Sequence, residues 1–597
     1  MLEQYFRDER IINQICKERV KQAVKQHDRQ NIGWLVGCSN EPAPRHPFYN
    51  LMPPRRQWSA FRPRYRIDGL NPDLYALKKA VRILRHQNPE LPWVIELNRY
   101  IRSIRERVFH SPSFAISPPR INYVLKKRGG QEYRALCQYG VDDNLILCLF
   151  ANYLREKYDP MFSTSSFAFR AALNGQVTTH HDAFTEIYNL KHNSGNRSLY
   201  VAECDIRGFF DTVDHSLALS AFREAAQRVS LHPRAEVLFQ AYLDCYSFPN
   251  NVLAEAEPRL RQSDPNGHFK WPEPQLRAMH NTDPRGLRIG VSQGGAVSGI
   301  IANLIMDRAD KCVEAEGARL GADIHYYRFC DDMVLISPNL KHCKAVFGAY
   351  LNKLTELKLA YHEPEETCIY GKQHWKHKSK APYLWSGQKW FGCVPWVQFV
   401  GYQIRYDGLV RPRNEAVAKQ CMKLVETTNM LKYGLLQASR TNRVQANKNQ
   451  ALASLKSKLV AQGVGRVKGY VNGPRPMCWA AGYRALHNKP IVDHALRSFD
   501  KARKKQLRRF AAADIMYGTG INRGTKQSRP DPEGYAYSYQ AQFTNLGGDF
   551  LIHNSWKPRN LMDTAKQFTF LLLTGRYFKR RFKYIWKKIE QAKRVRV

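Results

Sequence analysis

Three aspartates sit in surroundings that metal-assisted phosphoryl transfer needs. In residues 199–215 (LYVAECDIRGFFDTVDH) an apolar run delivers Asp205 at the end of a strand, and Phe209, Phe210 and Asp211 follow on a turn into helix. In residues 325–337 (HYYRFCDDMVLIS) two apolar strands flank Asp331 and Asp332, which makes a hairpin with adjacent carboxylates at its tip. Carboxylates on neighbouring strands can bridge two divalent cations about 3.5–4 Å apart, one activating an attacking hydroxyl and one neutralising a leaving pyrophosphate. Mg2+ suits such a set because it takes a few carboxylates and completes its shell with substrate phosphates. A lone Asp-Asp pair is most often a surface turn. Apolar strands on both sides and a matching upstream Asp argue against that here.

The elements that must position these residues can be read in order. Residues 290–307 (GVSQGGAVSGIIANLIMD) form a Gln-Gly-Gly loop feeding a helix, and 398–405 (QFVGYQIR) open a strand pair that extends to residue 413 and turns at Asp407-Gly408. Upstream, 121–125 and 133–136 predict a hairpin with a basic Gly-Gly tip at 126–131, and helix follows over 142–158. The spacing of Ile11, Ile12, Ile15, Val20 and Val24 predicts one helix face within 1–35, and helix returns over 72–110. Between them, 41–66 mixes proline, arginine and aromatics. It reads either as an extended arm for phosphates and bases or as a strap packed on the protein's own surface. Residues 246–288, rich in Pro, Asn, Asp and His, predict an irregular insertion. Beyond 413 the chain becomes mainly helical, and 501–509 place six basic residues in nine on a helix. No internal repeat is present.

At these residues the chain resembles the reverse transcriptases of the bacterial group II intron and retron-like lineage, over about residues 120–430. Asp205 with Phe209 and Phe210 resembles the family's first catalytic motif, and Phe329-Cys330-Asp331-Asp332 stands where the family has aromatic-x-Asp-Asp. Gln293-Gly294-Gly295 with Ser298 resembles its template- and nucleotide-contacting loop, and Ser166-Phe167-Ala168-Phe169-Arg170 its Ser-Phe-Gly-Phe-Arg run. The resemblance implies metal binding by Asp205, Ile206, Asp331 and Asp332, with Mg2+ (two ions) or Mn2+. It implies nucleotide contacts from Lys126 or its neighbours in 126–128, Arg134, Arg207, Phe210, Gln293 and Gly294, and a primer grip at Phe399-Val400-Gly401-Tyr402, centred on Gly401 and Tyr402. Phe210, five residues after the first Asp, would block a 2′-hydroxyl and select deoxynucleotides; as an ordinary core residue it would do no more than pack.

Several departures stand out. Gly299 replaces the usual proline after Ser298 and predicts a looser loop, Glu366-Thr367 stands where Lys-Thr is common, and Asn144 follows Asp143 where relatives have Asp-Arg. The last 157 residues hold only eight acids, too few for a ribonuclease H domain, and no zinc-bound nuclease pattern occurs. The expected architecture is α/β, a right-hand polymerase: a basic N-terminal extension 1–110, fingers 111–196, and a palm 197–405 with an antiparallel sheet, helices and a fingers-side insertion at about 216–288. A helical thumb 406–460 and a basic, mainly helical C-terminal domain 461–597 complete it.

Charge points the same way. The chain of 597 residues carries a formal net charge of +41. Residues 441–597 hold 32 Lys/Arg against 8 Asp/Glu, 1–110 hold 21 against 11, and the middle nets only +7. Basic flanks around a weakly charged centre suggest polyanion grip at the ends and catalysis between them. Lys501, Arg503, Lys504, Lys505, Arg508 and Arg509 are the candidate RNA contacts. Thirteen scattered cysteines, no secretory signal and no long apolar run predict a cytoplasmic protein with reduced core thiols and no membrane partner. The expected partners are a structured non-coding RNA, template RNA, DNA product and deoxynucleotides, with a homo-oligomer or a partner reverse transcriptase left open. A nuclease-free basic extension resembles the defence-associated, abortive-infection-type enzymes, which implies antiphage defence. The alternatives are a group II intron maturase aiding splicing, a silent RNA-binding scaffold, and an RNA polymerase on the same palm. Tyr535, Tyr537 and Tyr539, three hydroxyls in five residues, are candidates for a protein primer or else an ordinary strand face.

Overall fold

The computed structural model describes residues 1–36, 47–63, 71–127, 129–173, 176–195, 197–367, 369–388, 392–440, 444, 446–464, 479–486, 489 and 493–518. They fall into two units, one from the described parts of 1–18, 47–53 and 81–400, the other from those of 19–46, 54–80 and 401–597.

The first unit is built on a sheet whose central strand, Tyr200–Cys204, lies between Ser379–Trp385 and Asp332–Ser337, with His325–Phe329 beyond the latter. Val201, Ala202 and Cys204 are buried, which is why this strand reads as a continuous apolar run. Its one charge, Glu203, is buried with Lys380 and accepts from the Tyr383 hydroxyl at 2.6 Å, so the carboxylate keeps its partners inside the sheet. Helix Leu340–Glu356 covers the sheet and packs on helix Ser298–Arg319. Asn339 caps the former, accepting from Lys341 N at 2.8 Å. The hairpin expected upstream is present as Arg120–Leu125 and Glu132–Gln138, and the helix after it as Val141–Tyr158.

Residues 246–288 differ from the expectation of irregular chain. They hold a π-helix at Pro249–Ala256, helices Glu257–Ser263 and Glu273–His280, and a short strand, His268–Phe269, that extends the hairpin sheet by pairing with Glu132–Gln138. Phe248, Val252, Leu260, Phe269 and Leu276 are buried along this stretch. Pro249, Pro258 and Pro274 sit in the first turns of these helices, where a missing N–H costs little. Composition alone hid that positional detail.

In the 41–66 arm, Phe48 and Trp58 are 1% and 0% exposed, so these two rings belong to cores and cannot stack on bases, while Tyr49 and Phe61 are half-buried. Phe48 packs edge-on against Tyr100. The strap reading holds for these two rings.

The second unit contains the hairpin Tyr402–Arg405 and Val410–Pro412, turned at Gly408 with φ +83°. Helices Asn414–Ser439, Lys448–Val464 and Asp493–Ala511 follow. Leu424, Leu431, Leu435, Leu455, Leu459, Phe499 and Phe510 form one apolar core, in which Trp479 stacks on Phe499 at 5.4 Å. Among the described residues no helix is long and apolar enough to cross a membrane. Cys16, Cys137, Cys204, Cys245, Cys330, Cys343 and Cys393 are buried.

Candidate active site

Register brings the first two aspartates together. Cys204 faces Met333 across the antiparallel pair, so Asp205, just past one strand, lies beside Asp331 and Asp332 at the start of the next. Phe329 pairs with Asp332, which leaves Cys330 and Asp331 as a two-residue turn. Cys330 takes φ +63°, a left-handed conformation uncommon for a residue with a Cβ. Part of the Asp331 surface is accessible, yet its carboxyl lies deep among protein atoms. Burial first, and then the charge of Asp205, push it above the ordinary carboxylate range, while the Cys330 thiol and Arg134 pull the other way. Asp332 is exposed.

Asp205 is held from a distant segment. Lys378 donates to its Oδ2 at 2.9 Å, Ser379 Oγ accepts from its N–H at 3.0 Å, and His362 Nε2 lies 3.7 Å from the carboxylate. Burial lowers the His362 pKa, against the pull of the Asp205 carboxylate. Neither residue was visible in the sequence, because both reach Asp205 from loops with no periodic signal. Ile206 is buried next to Asp205 and bridges to Tyr361.

Three of the residues expected to contact nucleotide, Gln293, Lys126 and Arg134, act on Asp211. Gln293 Nε2 donates to Asp211 Oδ1 at 2.7 Å, Trp271 Nε1 donates to the Asp211 carbonyl at 2.8 Å, and Lys126 and Arg134 act on its carboxylate through charge. Burial nevertheless pushes the Asp211 carboxyl up to about 6. The sequence placed Asp211 beside the first motif without assigning it a role. Phe209 is buried and Phe210 half-buried, their rings edge-to-face at 5.3 Å, so Phe210 leaves part of its ring accessible as a gate requires. Gly294 is exposed at φ +102°. Gly295 is required by sterics: a Cβ there would stand 2.2 Å from the Tyr242 hydroxyl, which bonds Ser292 and Ser298 at 2.7 Å each. At Gly299 the ring of Phe169 lies where a Cβ would be, 2.6 Å away, and Phe169 itself has φ +58°. The departure from proline therefore tightens this corner instead of loosening it. Arg207 is half-buried, with its N–H donating to Ala360.

Elsewhere, Tyr402 is fully buried and donates to the Gly482 carbonyl at 3.2 Å, and Gly401 has φ +90°. On helix Asp493–Ala511, Lys501, Lys504, Lys505, Arg508 and Arg509 are exposed opposite buried Phe499 and Phe510, while half-buried Arg503 pairs with Asp500 at 3.3 Å. Arg128, Tyr535, Tyr537 and Tyr539 lie outside the described residues.

The donor set at Asp205 and Asp331 is oxygen-only, and one carboxylate raises the pKa of the other, which is the setting a hard divalent cation relieves. Among the described residues no group of three or more His, Cys, Asp or Glu is gathered as a preformed cluster.

A carboxylate-bearing hairpin stands beside a strand-end aspartate, with basic residues and a half-buried aromatic nearby, an arrangement suited to nucleotidyl transfer. Residues 125–364 match the family model described as reverse transcriptase (RNA-dependent DNA polymerase). Residues 125–364 thus form a reverse transcriptase domain with an α/β fold, and the chain is an RNA-directed DNA polymerase; domains of this kind generally use divalent metal ions. No curated protein matches. Among solved structures, apo telomerase from Candida tropicalis is similar at 13% identity and a TM-score of 0.33, covering 79% of this chain and 73% of that one. Candida tropicalis telomerase in complex with a TWJ fragment of telomeric RNA is similar at 12% identity and a TM-score of 0.33, covering 84% and 73%.

Proposed function

We propose that this chain is a reverse transcriptase of the group II intron and retron-like lineage that works in the cytoplasm with a structured non-coding RNA, in antiphage defence. The observation that carries the polymerase reading is that Arg134 acts both on Asp331, beside Asp205, and on Asp211, which Lys126 and Gln293 also reach. Asp205, Ile206, Asp331 and Asp332 would hold two Mg2+ ions, replaceable by Mn2+, which supply charge neutralisation on the triphosphate and acidify the attacking hydroxyl. Arg134 and Lys126 bind the triphosphate, and Gln293, anchored by Asp211, presents its amide to the nucleotide or template. Phe210 excludes a 2′-hydroxyl, and Gly401 with Tyr402 shapes the primer grip through backbone, the Tyr402 ring being buried.

The RNA partnership rests on the exposed basic face of helix Asp493–Ala511 and on the net +24 of residues 441–597. The defence role rests on resemblance. Sequencing the RNA and DNA that co-purify with the full chain tests the proposal. One abundant structured RNA accompanied by complementary DNA is expected. Heterogeneous cellular RNA without complementary DNA would refute the dedicated partner, and enrichment of intron-flanking RNA would favour the splicing role instead.

A further inference from the structure

We propose that Arg328 is a positioning residue for the metal-binding turn: it holds the Cys330 carbonyl and thereby aims Asp331. The inference rests on the reading of Asp331 as a metal ligand.

Arg328 lies in strand His325–Phe329, with its side chain fully buried. Its guanidinium has five N–H donors, and each has an acceptor. Nε donates to Asp310 Oδ1 at 2.7 Å and Nη2 to Asp310 Oδ2 at 2.6 Å, a forked pair with a carboxylate that is itself fully buried in helix Ser298–Arg319. Nη2 also donates to Ser166 Oγ at 2.8 Å. Nη1 donates to the Cys330 carbonyl at 2.9 Å and to Asn303 Oδ1 at 3.4 Å. Tyr326 adds a hydroxyl to Asp310 at 2.8 Å.

A buried ion pair is seldom a better stabiliser than a well-packed apolar pair, since both charges must lose their water. What an apolar pair cannot do is hold a backbone carbonyl. The carbonyl held here belongs to Cys330, whose φ of +63° is one that residues with a Cβ rarely keep without support from their surroundings. Asp331 is the next residue. The same guanidinium reaches the 165–167 segment, which also pairs with this strand through Arg328 N–H to the Ser165 carbonyl at 2.9 Å and Phe167 N–H to the Arg328 carbonyl at 2.9 Å. One side chain therefore ties the catalytic turn to the helix behind it and to the segment beside it. A lysine could keep the charge opposite Asp310 but not the fork that spans Asp310, Ser166 and Cys330.

The test uses the full chain carrying Arg328→Lys, Arg328→Leu, the double Arg328→Leu with Asp310→Leu, and Asp331→Asn. Thermal melting is measured beside Mn2+ titration followed by electron paramagnetic resonance, and kcat and KM for deoxynucleotide on a primed RNA template. Asp331→Asn identifies the Mn2+ bound at the turn; if it leaves Mn2+ binding unchanged, the metal reading itself fails. Given a loss there, Arg328→Lys is expected to weaken that Mn2+ site and to lower kcat by about 10–100-fold, the usual effect of removing a group that orients a metal ligand, with little change in KM. The double variant should recover melting temperature relative to Arg328→Leu without recovering Mn2+ binding. Wild-type Mn2+ affinity and kcat in Arg328→Lys, or their return together with stability in the double variant, would overturn the proposal.

Discussion

Asp211 offers a prediction in which stability and activity move in opposite directions. Its carboxyl is fully enclosed and pushed up to about 6, chiefly by burial, against the pull of Gln293, Lys126 and Arg134. The folded state thus holds a proton between about pH 4 and 6 that the unfolded chain has released, so stability falls as pH rises through that window. Above it the penalty is complete. From the ordinary value of 3.8 to about 6, at about 1.36 kcal/mol per pKa unit, the penalty is on the order of 3 kcal/mol. Asp211→Asn keeps the shape and can still accept from Gln293 Nε2, now without a buried charge. It should stabilise the protein by up to about 3 kcal/mol near pH 8 and by almost nothing near pH 4. DNA synthesis should fall, because the charge-assisted bond that fixes Gln293, about twice as strong as a neutral one, is lost. The assay is thermal melting of wild type and variant across pH, with primer extension near neutrality. A melting difference that is independent of pH, or a variant less stable than wild type near pH 8, would refute the reasoning.

Three further outcomes follow from the site and its basic flank. Asp331→Asn or Asp332→Asn should abolish DNA synthesis while leaving the fold intact and RNA binding close to wild type, which filter binding beside primer extension would check; wild-type incorporation would remove these residues from the site. Phe210→Val should raise ribonucleotide use relative to deoxynucleotide by about 10–200-fold, the range of a steric discrimination, as read from the two kcat/KM values. An unchanged ratio would make Phe210 a packing residue alone. Neutralising Lys501, Lys504, Lys505, Arg508 and Arg509 on the exposed face should weaken RNA binding and flatten its salt slope by about 0.7–0.9 log units for each phosphate that is no longer neutralised; an unchanged slope would mean that this helix does not touch RNA.

How much of this could be read in advance depended on whether the signal was local. Asp205, Asp331 and Asp332 were legible because an apolar strand ending in a carboxylate is a pattern within one segment, and pairing two such segments is the simplest way to bury both. Helix Asp493–Ala511 was legible for the same reason, with Phe499 and Phe510 inward and lysines outward. Lys378 and His362 were not, since their role lies in reaching Asp205 across more than 150 residues of chain. Arg328 was hidden differently: an arginine inside a strand next to a turn reads as solvated, and only the buried Asp310 shows that it points inward. The helices within 246–288 were missed because prolines at first turns resemble prolines in loops until the start of each helix is known.

The close approach of Phe169 to Gly299 makes these two positions a matched couple in size. Replacing Gly299 with proline, the residue usual in similar enzymes, would drive the new ring into an aromatic already at 2.6 Å from the Cβ position. Grafting that loop from a relative should therefore fail unless Phe169 is shortened in the same step, and Phe169→Ala alone should open a gap at the start of helix Ser298–Arg319 that Gly299→Pro then fills. The order of change matters as much as its content: a lineage could exchange one pair for the other by making Phe169→Ala first, while Gly299 is still in place, but not by making Gly299→Pro first, against the intact ring.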